Sequence, residues 1–327
     1  MTQNSAESLR PLPLPIQLYV PPEFPARRPG TPWQVMQAFV HVLRPRQWIK
    51  NTSCLAGLIF SHQLFDGAAR LTALVATMMF CAASGCVYVI NDICDREKDR
   101  LNPKKAGRPI ASGVLPVWVA GLGCLGCLAV SGLAAGYLGA SCAVVLVLYL
   151  AMNVVYSLRL KHTVLADVLV IAMGFVFRVL AGVFAVHAQP TAWIILCIFF
   201  LALFLGFAKR RGELAALGER AAAHRPVLAK YTLPYLDTVL AVTATMTIIC
   251  YAVYTIEARH INDSMIITIP PVVYGIARYL LLVMVRGGEA PEDLLTRDRG
   301  MLAAVAVWIG LCLFVLYANI NLFNEGQ

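Results

Sequence analysis

The sequence predicts an all-α, polytopic membrane protein with nine membrane-spanning helices, and three observations support this prediction. Hydrophobic residues make up 59% of the 327 residues and charged residues only 14%, whereas an ordinary soluble domain is about half apolar. Apolar stretches long enough to cross a hydrocarbon core of about 30 Å recur along the chain. The charged residues gather mainly between those stretches. Together these features exclude an ordinary soluble domain.

The predicted spans follow a proline-rich N-terminal segment. Residues 1–35 lack an apolar signal core and predict a disordered cytoplasmic tail. Residues 36–327 are then assigned to a single transmembrane domain. The nine spans, in chain order, are residues 49–65, 71–90, 114–135, 138–157, 163–186, 191–207, 236–256, 264–285 and 301–320.

The net charge of +9 raises the alternative of a nucleic-acid-binding protein, and the position of the charges decides against it. Lys and Arg gather before the first span and then in alternate connections, near residues 96–108, 159–161, 209–230 and 286–299. This alternation follows the positive-inside rule. We therefore expect a multi-pass protein of the cell inner (plasma) membrane, with its N-terminus and basic connections in the cytoplasm and with no nucleic-acid partner.

The strongest chemical signal follows the second predicted span, in residues 85–113, GCVYVINDICDREKDRLNPKKAGRPIASG. Asp92, Asp95 and Asp99 are spaced i, i+3 and i+7, which places three carboxylates along one face of a helix. Asn91 adjoins them. Like charges at this spacing repel one another unless a cation lies between them. Because Mg²⁺ commonly uses a few carboxylates and leaves sites for phosphate oxygens, these four residues predict a magnesium site.

Basic residues follow the acidic cluster, in a loop interrupted by prolines and glycines. Lys104 and Arg108 lie there, where cationic side chains can neutralise the remaining oxygens of a bound diphosphate. The alternative for the acidic residues is a solvated helix end with surface ion pairs. The alternative for the lysine is an anchor that sets membrane topology. Their combination in one passage favours a site for magnesium and diphosphate, and hence group transfer from a diphosphate.

The motif NDICDREKDRLNPKKAGRPIASG resembles the NDxxDxxxD motif and basic loop of the UbiA superfamily of intramembrane prenyltransferases. This resemblance implies a nine-helix bundle around a polar cavity open to the cytoplasmic side. Residues 36–327 would then form the transmembrane catalytic domain. LRPRQWIKN, YSLRLKHTVLADV and AKRRGEL, which begin at residues 43, 156 and 208, resemble the decaprenyl-phosphate phosphoribosyltransferase branch of that superfamily.

One segment departs from the pattern of the aromatic prenyltransferases in the superfamily. They carry a second aspartate-rich motif after the sixth span, whereas this chain has Lys209, Arg210, Arg211 and Glu213 there. A basic cluster offers charge directly to phosphate, so the replacement favours a donor with more phosphate groups than a prenyl diphosphate. Phosphoribosyl diphosphate (PRPP) as donor, with a polyprenyl phosphate as acceptor, fits this expectation; the basic cluster would hold the 5-phosphate.

The resemblance also assigns residues at two other cytoplasmic span ends. Tyr156 and Lys161 correspond to a Tyr and Lys pair that contacts diphosphate in the family, although the spacing here is one residue longer. Arg159 is therefore an alternative to Lys161. Arg46 just precedes the first span, and Lys50 lies at its start. Both are candidates for holding the phosphate of the lipid acceptor, with a role in membrane topology as the alternative.

Two charged residues lie inside the fifth predicted span. Asp167 and Arg178 are eleven residues apart, which places them on one helix face but about 16 Å apart along the axis. They cannot pair with each other. Because an unpaired charge inside a membrane is costly, each must meet another helix or the substrate cavity.

The predicted reaction is the magnesium-dependent transfer of the 5-phosphoribosyl group from PRPP to decaprenyl phosphate, with release of diphosphate. The resemblance implies that the product serves the synthesis of cell-wall arabinan (arabinogalactan) precursors. One alternative is a UbiA-type prenyltransferase that moves an isoprenoid from its diphosphate to an aromatic acceptor. A second is a non-enzymatic membrane transporter in which the intramembrane charges form an ion pathway. The sequence leaves the length of the lipid and the oligomeric state open, a homo-oligomer included.

Overall fold

The computed structural model describes residues 30–102, 105–218, 226–257, 263–286 and 297–317. All regular elements in these ranges are helical. The α-helices, in chain order, are α1 (Pro32–Val42), α2 (Ala56–Phe60), α3 (Gly67–Cys94), α4 (Arg96–Leu101), α5 (Val117–Leu138), α6 (Ala140–Leu158), α7 (Ala166–Ala185), α8 (Ala192–Leu217), α9 (Leu233–Glu257), α10 (Ile269–Arg286) and α11 (Arg299–Tyr317). The 3-10 helices are Pro45–Leu55, Leu160–His162, Pro226–Lys230 and Asp263–Thr268. The first of them is called the 3-10 segment below.

Eight helical segments in the described residues are long and apolar enough to cross a membrane. They correspond to the second to ninth predicted spans, so the prediction of an all-α, polytopic membrane protein is confirmed. α3 and α7 are the most buried of them, each 61% buried over its most apolar stretch, whereas α5 is 17% buried. α3 and α7 therefore lie at the centre of the bundle, and α5 at its edge.

The first predicted span, residues 49–65, is not a long α-helix. It begins within the 3-10 helix Pro45–Leu55, and the five-residue α2 follows. Two side chains bond backbone carbonyls three residues back, Thr52 to Ile49 and Ser53 to Lys50. The abundance of polar residues in this stretch explains the difference, because Ser and Thr hydroxyls compete for the carbonyls of a regular helix.

The 3-10 segment and α2 together run beside α3 in the opposite direction. Asn51 contacts Ser84 at 3.3 Å, and further along the chain Leu58 packs in a cluster with Ala73 and Ala69, near the start of α3. A 3-10 helix rises about 2.0 Å per residue, compared with 1.5 Å for an α-helix. A short polar stretch can therefore run beside a much longer apolar helix.

Two glycines bring this segment against α7, backbone to backbone. A Cβ added to Gly182 would overlap the carbonyl oxygen of Cys54, and one added to Gly57 would lie 2.6 Å from the backbone nitrogen of Val183. Neither contact leaves room for a methyl group. The two glycines therefore allow the end of the 3-10 segment and the start of α2 to cross α7 at backbone contact distance.

Gly182→Ala is expected to destabilise the protein by about 1 to 3 kcal/mol, because the two backbones must separate to admit the methyl group. Thermal unfolding of the detergent-solubilised protein measures the effect. Gly126→Ala on α5 is the matched control, since a Cβ there meets nothing within 4 Å. Equal unfolding temperatures for the two variants would contradict the close packing of the 3-10 segment on α7.

The N-terminal helix α1 begins at Pro32, within the range predicted to be a tail. Thr31 caps it, accepting a hydrogen bond from the Gln34 backbone, while the Gln34 side chain bonds back to Thr31. This reciprocal capping box stabilises a helix start. The rest of the tail prediction concerns residues 1–29, which lie outside the described residues.

The two charged residues of α7 each meet other helices, as predicted. Arg178 donates to Asn51 Oδ1 at 2.7 Å and to the Tyr149 hydroxyl at 3.1 Å, and its guanidinium lies over the rings of Phe80 and Phe175. These neutral partners tie the 3-10 segment, α3, α6 and α7 together around one buried cation. Asp167 pairs with a residue of α8, described below.

Candidate active site

The acidic cluster lies at a break between two helices. α3 ends at Cys94, Asp95 is the linking residue, and α4 begins at Arg96. The predicted continuous helix face is thus interrupted at its middle carboxylate. Asp92 and Asp99 are nevertheless both buried, 4% and 3% exposed, while Asp95 is partly exposed.

Each of the three carboxylates is paired with a cation. Arg108 uses one nitrogen, Nη1, to contact Asp92 Oδ1 at 3.1 Å and Asp99 Oδ2 at 2.7 Å. Lys161 donates to Asp95 Oδ1 at 2.9 Å. Two further cations complete the set: Arg44 reaches Asp92 Oδ1 at 2.7 Å and Lys105 reaches Asp99 Oδ1 at 3.9 Å. Burial makes such pairing necessary, because an isolated charge would be strongly disfavoured.

Residues from the end of α6 complete this face of the site. The Ser157 hydroxyl donates to Asn91 Oδ1 at 2.5 Å, which fixes the orientation of the amide. Tyr156 is half-buried beside Ser157. Lys161 contacts Asp95 of the acidic cluster, whereas its alternative, Arg159, is exposed.

Cationic side chains lie against the carboxylates of the acidic cluster. Among the residues that the structure describes, no three His, Cys, Asp or Glu side chains lie close enough together to hold a metal. Asp92 and Asp99 converge on a single nitrogen of Arg108, at the distances given above, and offer hard oxygen ligands of the kind Mg²⁺ prefers. The side chains of Arg44 and Arg108 are about a third exposed. A metal that bound both carboxylates would have to displace these two guanidinium groups.

The basic segment at the end of α8 is largely engaged with carboxylates. Arg210, only 2% exposed, donates to Asp167 Oδ2 and to Glu213 Oε2, both at 2.8 Å. Arg211 donates to Asp237 Oδ1 at 2.5 Å and to a backbone carbonyl of α10 at 3.0 Å. These contacts join α8 to α7, α9 and α10. Lys209 is exposed.

Tyr231, in the connection between α8 and α9, contacts the buried pair of Arg210 and Asp167. Its hydroxyl accepts a hydrogen bond from the Leu165 backbone at 2.8 Å and donates to Asp167 Oδ1 at 3.5 Å. Burial raises the pKa of Tyr231 above its usual value. The hydroxyl therefore keeps its proton and supports the charge of the buried carboxylate.

The remaining predicted site residues differ in how the structure places them. Lys104 lies outside the described residues. Arg46 is exposed, and Lys50 contacts Gln47 Oε1 at 3.5 Å. Sequence reasoning missed Arg44, whose partner Asp92 lies 48 residues further along the chain. The only signal for it was its place in the basic run LRPRQWIKN.

The acidic cluster, the basic loop and the helices around them all lie within a region that matches a known protein family. Residues 52–301 match the UbiA prenyltransferase family, about three quarters of the chain. The chain belongs to the UbiA prenyltransferase family. The NDxxDxxxD motif identified in the sequence, residues 91–99, lies within the matched region.

Relatives within the UbiA family extend the similarity over almost the whole chain. The decaprenyl-phosphate phosphoribosyltransferase of Mycolicibacterium smegmatis is 34% identical over 300 residues, covering 86% of this chain and 93% of that protein. The protein of the same name from Mycobacterium tuberculosis is 34% identical over 286 residues, covering 85% and 94%. A UbiA homolog from Archaeoglobus fulgidus, solved with DMAPP and Mg²⁺, superimposes with a TM-score of 0.68 at 20% identity, covering 86% of this chain and all of that one. This superposition confirms the UbiA fold.

The UbiA bundle of this chain contains a partly open apolar cavity of about 440 Å³. It lies among α2, α7 to α11 and the end of the 3-10 segment, and its walls include Phe175, Val179, Phe204, Tyr279 and Trp308. Such a lining suits hydrocarbon rather than phosphate. The polar cavity open to the cytoplasmic side, which the family resemblance implied, remains a prediction.

Proposed function

We propose that this UbiA family protein transfers the 5-phosphoribosyl group of PRPP to a polyprenyl phosphate and releases diphosphate. The observation that carries the proposal is the 34% identity to proteins named decaprenyl-phosphate phosphoribosyltransferase over nearly the full length of both partners. Family membership alone would equally allow an isoprenoid donor. The basic segment in place of a second aspartate-rich motif favours the phosphoribosyl donor.

Asp92, Asp95 and Asp99, with Asn91, are the residues that would hold magnesium. Two of the carboxylates are buried and converge on one cationic nitrogen, and a fold relative was solved with Mg²⁺. When bound, the metal would stabilise the negative charge that develops on the departing diphosphate.

The cations around the acidic cluster are the candidates for binding the diphosphate oxygens. Arg108 and Lys161 now pair with the carboxylates that a metal would take, so metal binding frees their charge for the phosphates. Lys105, and Lys104 next to it in sequence, extend the same basic loop. Tyr156 would contact the diphosphate from α6, as its correspondence to the family pattern implies.

The chemistry breaks one bond and forms one. The C1–O bond of the ribose to diphosphate breaks, the electron pair leaves with the diphosphate, and positive charge is shared between C1 and the ring oxygen. An oxygen of the lipid phosphate, already anionic at neutral pH, attacks C1 from the opposite face. Because the nucleophile carries no proton to remove, the site needs cations and positioning rather than a strong general base.

The other two phosphates of the substrates are assigned to separate basic groups. Lys209 is exposed near the end of α8 and would hold the 5-phosphate. Arg210 and Arg211 would stabilise this part of α8 through their ion pairs with carboxylates. Arg46 and Lys50 would hold the lipid phosphate at the headgroup level. The distribution of basic residues supports an active site and an N-terminus on the cytoplasmic side of the inner membrane. The product would supply arabinan synthesis.

A radiolabel transfer assay tests the proposed function. The purified protein in detergent is given Mg²⁺, decaprenyl phosphate and PRPP labelled in the ribose. We expect label in the organic phase, dependent on both the lipid phosphate and the metal. No transfer of label by protein that remains folded, with several polyprenyl phosphates offered, would contradict the proposal.

A further inference from the structure

Arg44, which contacts the acidic cluster, has an unfavourable backbone conformation. Its φ of 52° and ψ of 62° are left-handed, a region that residues with side chains rarely adopt. The following residue is Pro45, and a proline normally pushes the residue before it towards an extended conformation. Such strain persists only where the surrounding structure enforces it. The surrounding structure therefore fixes the position of the Arg44 side chain.

The Arg44 guanidinium has two contacts that explain its orientation. Nη2 donates to Asp92 Oδ1 at 2.7 Å, and the group lies over the ring of Tyr88, 4.7 Å from its centre. Asp92 Oδ1 is the same oxygen that Arg108 contacts. One carboxylate oxygen of the expected metal site is thus covered by two guanidinium groups.

The direct contacts of the acidic cluster contain more positive than negative charge. Within the described part of the chain, the three carboxylates are contacted by four cations: Arg44, Lys105, Arg108 and Lys161. A bare divalent cation entering this cluster would meet net repulsion. A metal that arrives with a diphosphate brings net negative charge and would meet net attraction, because close charges in a partly buried site interact strongly.

We propose that Arg44 is a tethered counter-ion that competes with metal for Asp92, so that the site takes metal and diphosphate together and disfavours the metal alone. The inference rests on the proposed function, because it uses the same carboxylates as ligands. On joint binding, Asp92 turns to the metal and the released Arg44 charge faces the phosphates. Arg44 therefore makes the binding of metal depend on the presence of diphosphate.

Direct metal binding by the full-length protein in detergent tests this role without turnover. Equilibrium dialysis measures protein-bound Mn²⁺ for the wild type, Arg44→Gln and Arg70→Gln. Arg70→Gln is the matched control, since it removes the same charge from an exposed position near the opposite end of α3. Each protein is measured with Mn²⁺ alone and again with saturating inorganic diphosphate.

With Mn²⁺ alone, we expect Arg44→Gln to bind on the order of tenfold more tightly than the wild type, and Arg70→Gln to match the wild type. With diphosphate present, the advantage of Arg44→Gln should disappear, because the anion then offsets the arginine charge. Unchanged or weaker binding of Mn²⁺ alone by Arg44→Gln would overturn the proposal, since a purely structural arginine gives that result.

A second comparison remains decisive if Arg44→Gln fails to fold. The wild type should bind Mn²⁺ at least about tenfold more tightly with inorganic diphosphate than without it, and equal affinities would overturn the proposal. Inorganic diphosphate stands for any diphosphate donor. The result is therefore independent of whether PRPP is the substrate, and a failure of the proposed function leaves this test intact.

Discussion

Asp92→Asn is expected to reduce phosphoribosyl transfer by about 10²- to 10³-fold, a loss typical of removing a group that stabilises developing charge. The amide keeps the shape of the side chain but removes the charge that a metal requires. Arg44 and Arg108 are each about a third exposed, so they can reach water after the change and the fold should persist. Initial rates at saturating Mg²⁺ and PRPP measure the effect.

Glu97→Gln is the control for Asp92→Asn. Glu97 lies on α4, near the acidic cluster, but its side chain is 74% exposed and pairs with Arg100. The Glu97→Gln variant should transfer the phosphoribosyl group at the wild-type rate. Full magnesium-dependent activity of Asp92→Asn would remove the acidic cluster from the mechanism.

Arg210→Ala is expected to be strongly destabilising, by about 3 to 5 kcal/mol, because it leaves Asp167 buried without its cation. Asp167 is fully buried, and the pair joins α7 to α8. Thermal unfolding in detergent and the yield in membranes measure the loss.

Two variants separate this structural role from phosphate binding. Lys209→Ala, at an exposed position on the same helix, should destabilise the protein much less than Arg210→Ala, because interactions of exposed side chains contribute little to stability. The double variant Asp167→Leu with Arg210→Met removes both charges and should recover much of the stability that Arg210→Ala loses. A stable Arg210→Ala protein with weakened PRPP binding would instead favour direct contact between Arg210 and phosphate.

The sequence was sufficient wherever the determining feature is local. A long apolar stretch forms a membrane-spanning helix regardless of its neighbours, because every backbone polar group must be satisfied within the segment. Eight such stretches are helices in the described residues. The acidic motif is also local, so its position at the end of α3 could be read from the spacing of its residues.

The sequence was insufficient where the partner lies far along the chain. Nothing near Arg44 indicates that it reaches Asp92, 48 residues away, and nothing near Arg210 indicates Asp167, 43 residues away. The predicted first span failed for a related reason. Its polar residues and the tight crossing at Gly182 produce a 3-10 helix, and hydropathy does not distinguish helix types.

The most direct test of the account is a competition between donors. The protein in detergent with Mg²⁺ receives PRPP and geranylgeranyl diphosphate carrying different labels, together with decaprenyl phosphate and an aromatic acid as acceptors. We predict that the ribose label alone enters a lipid product, whose mass equals decaprenyl phosphate plus one phosphoribosyl group. Transfer of the isoprenoid label to the aromatic acid, with the ribose label left in water, would contradict the account and identify a prenyltransferase.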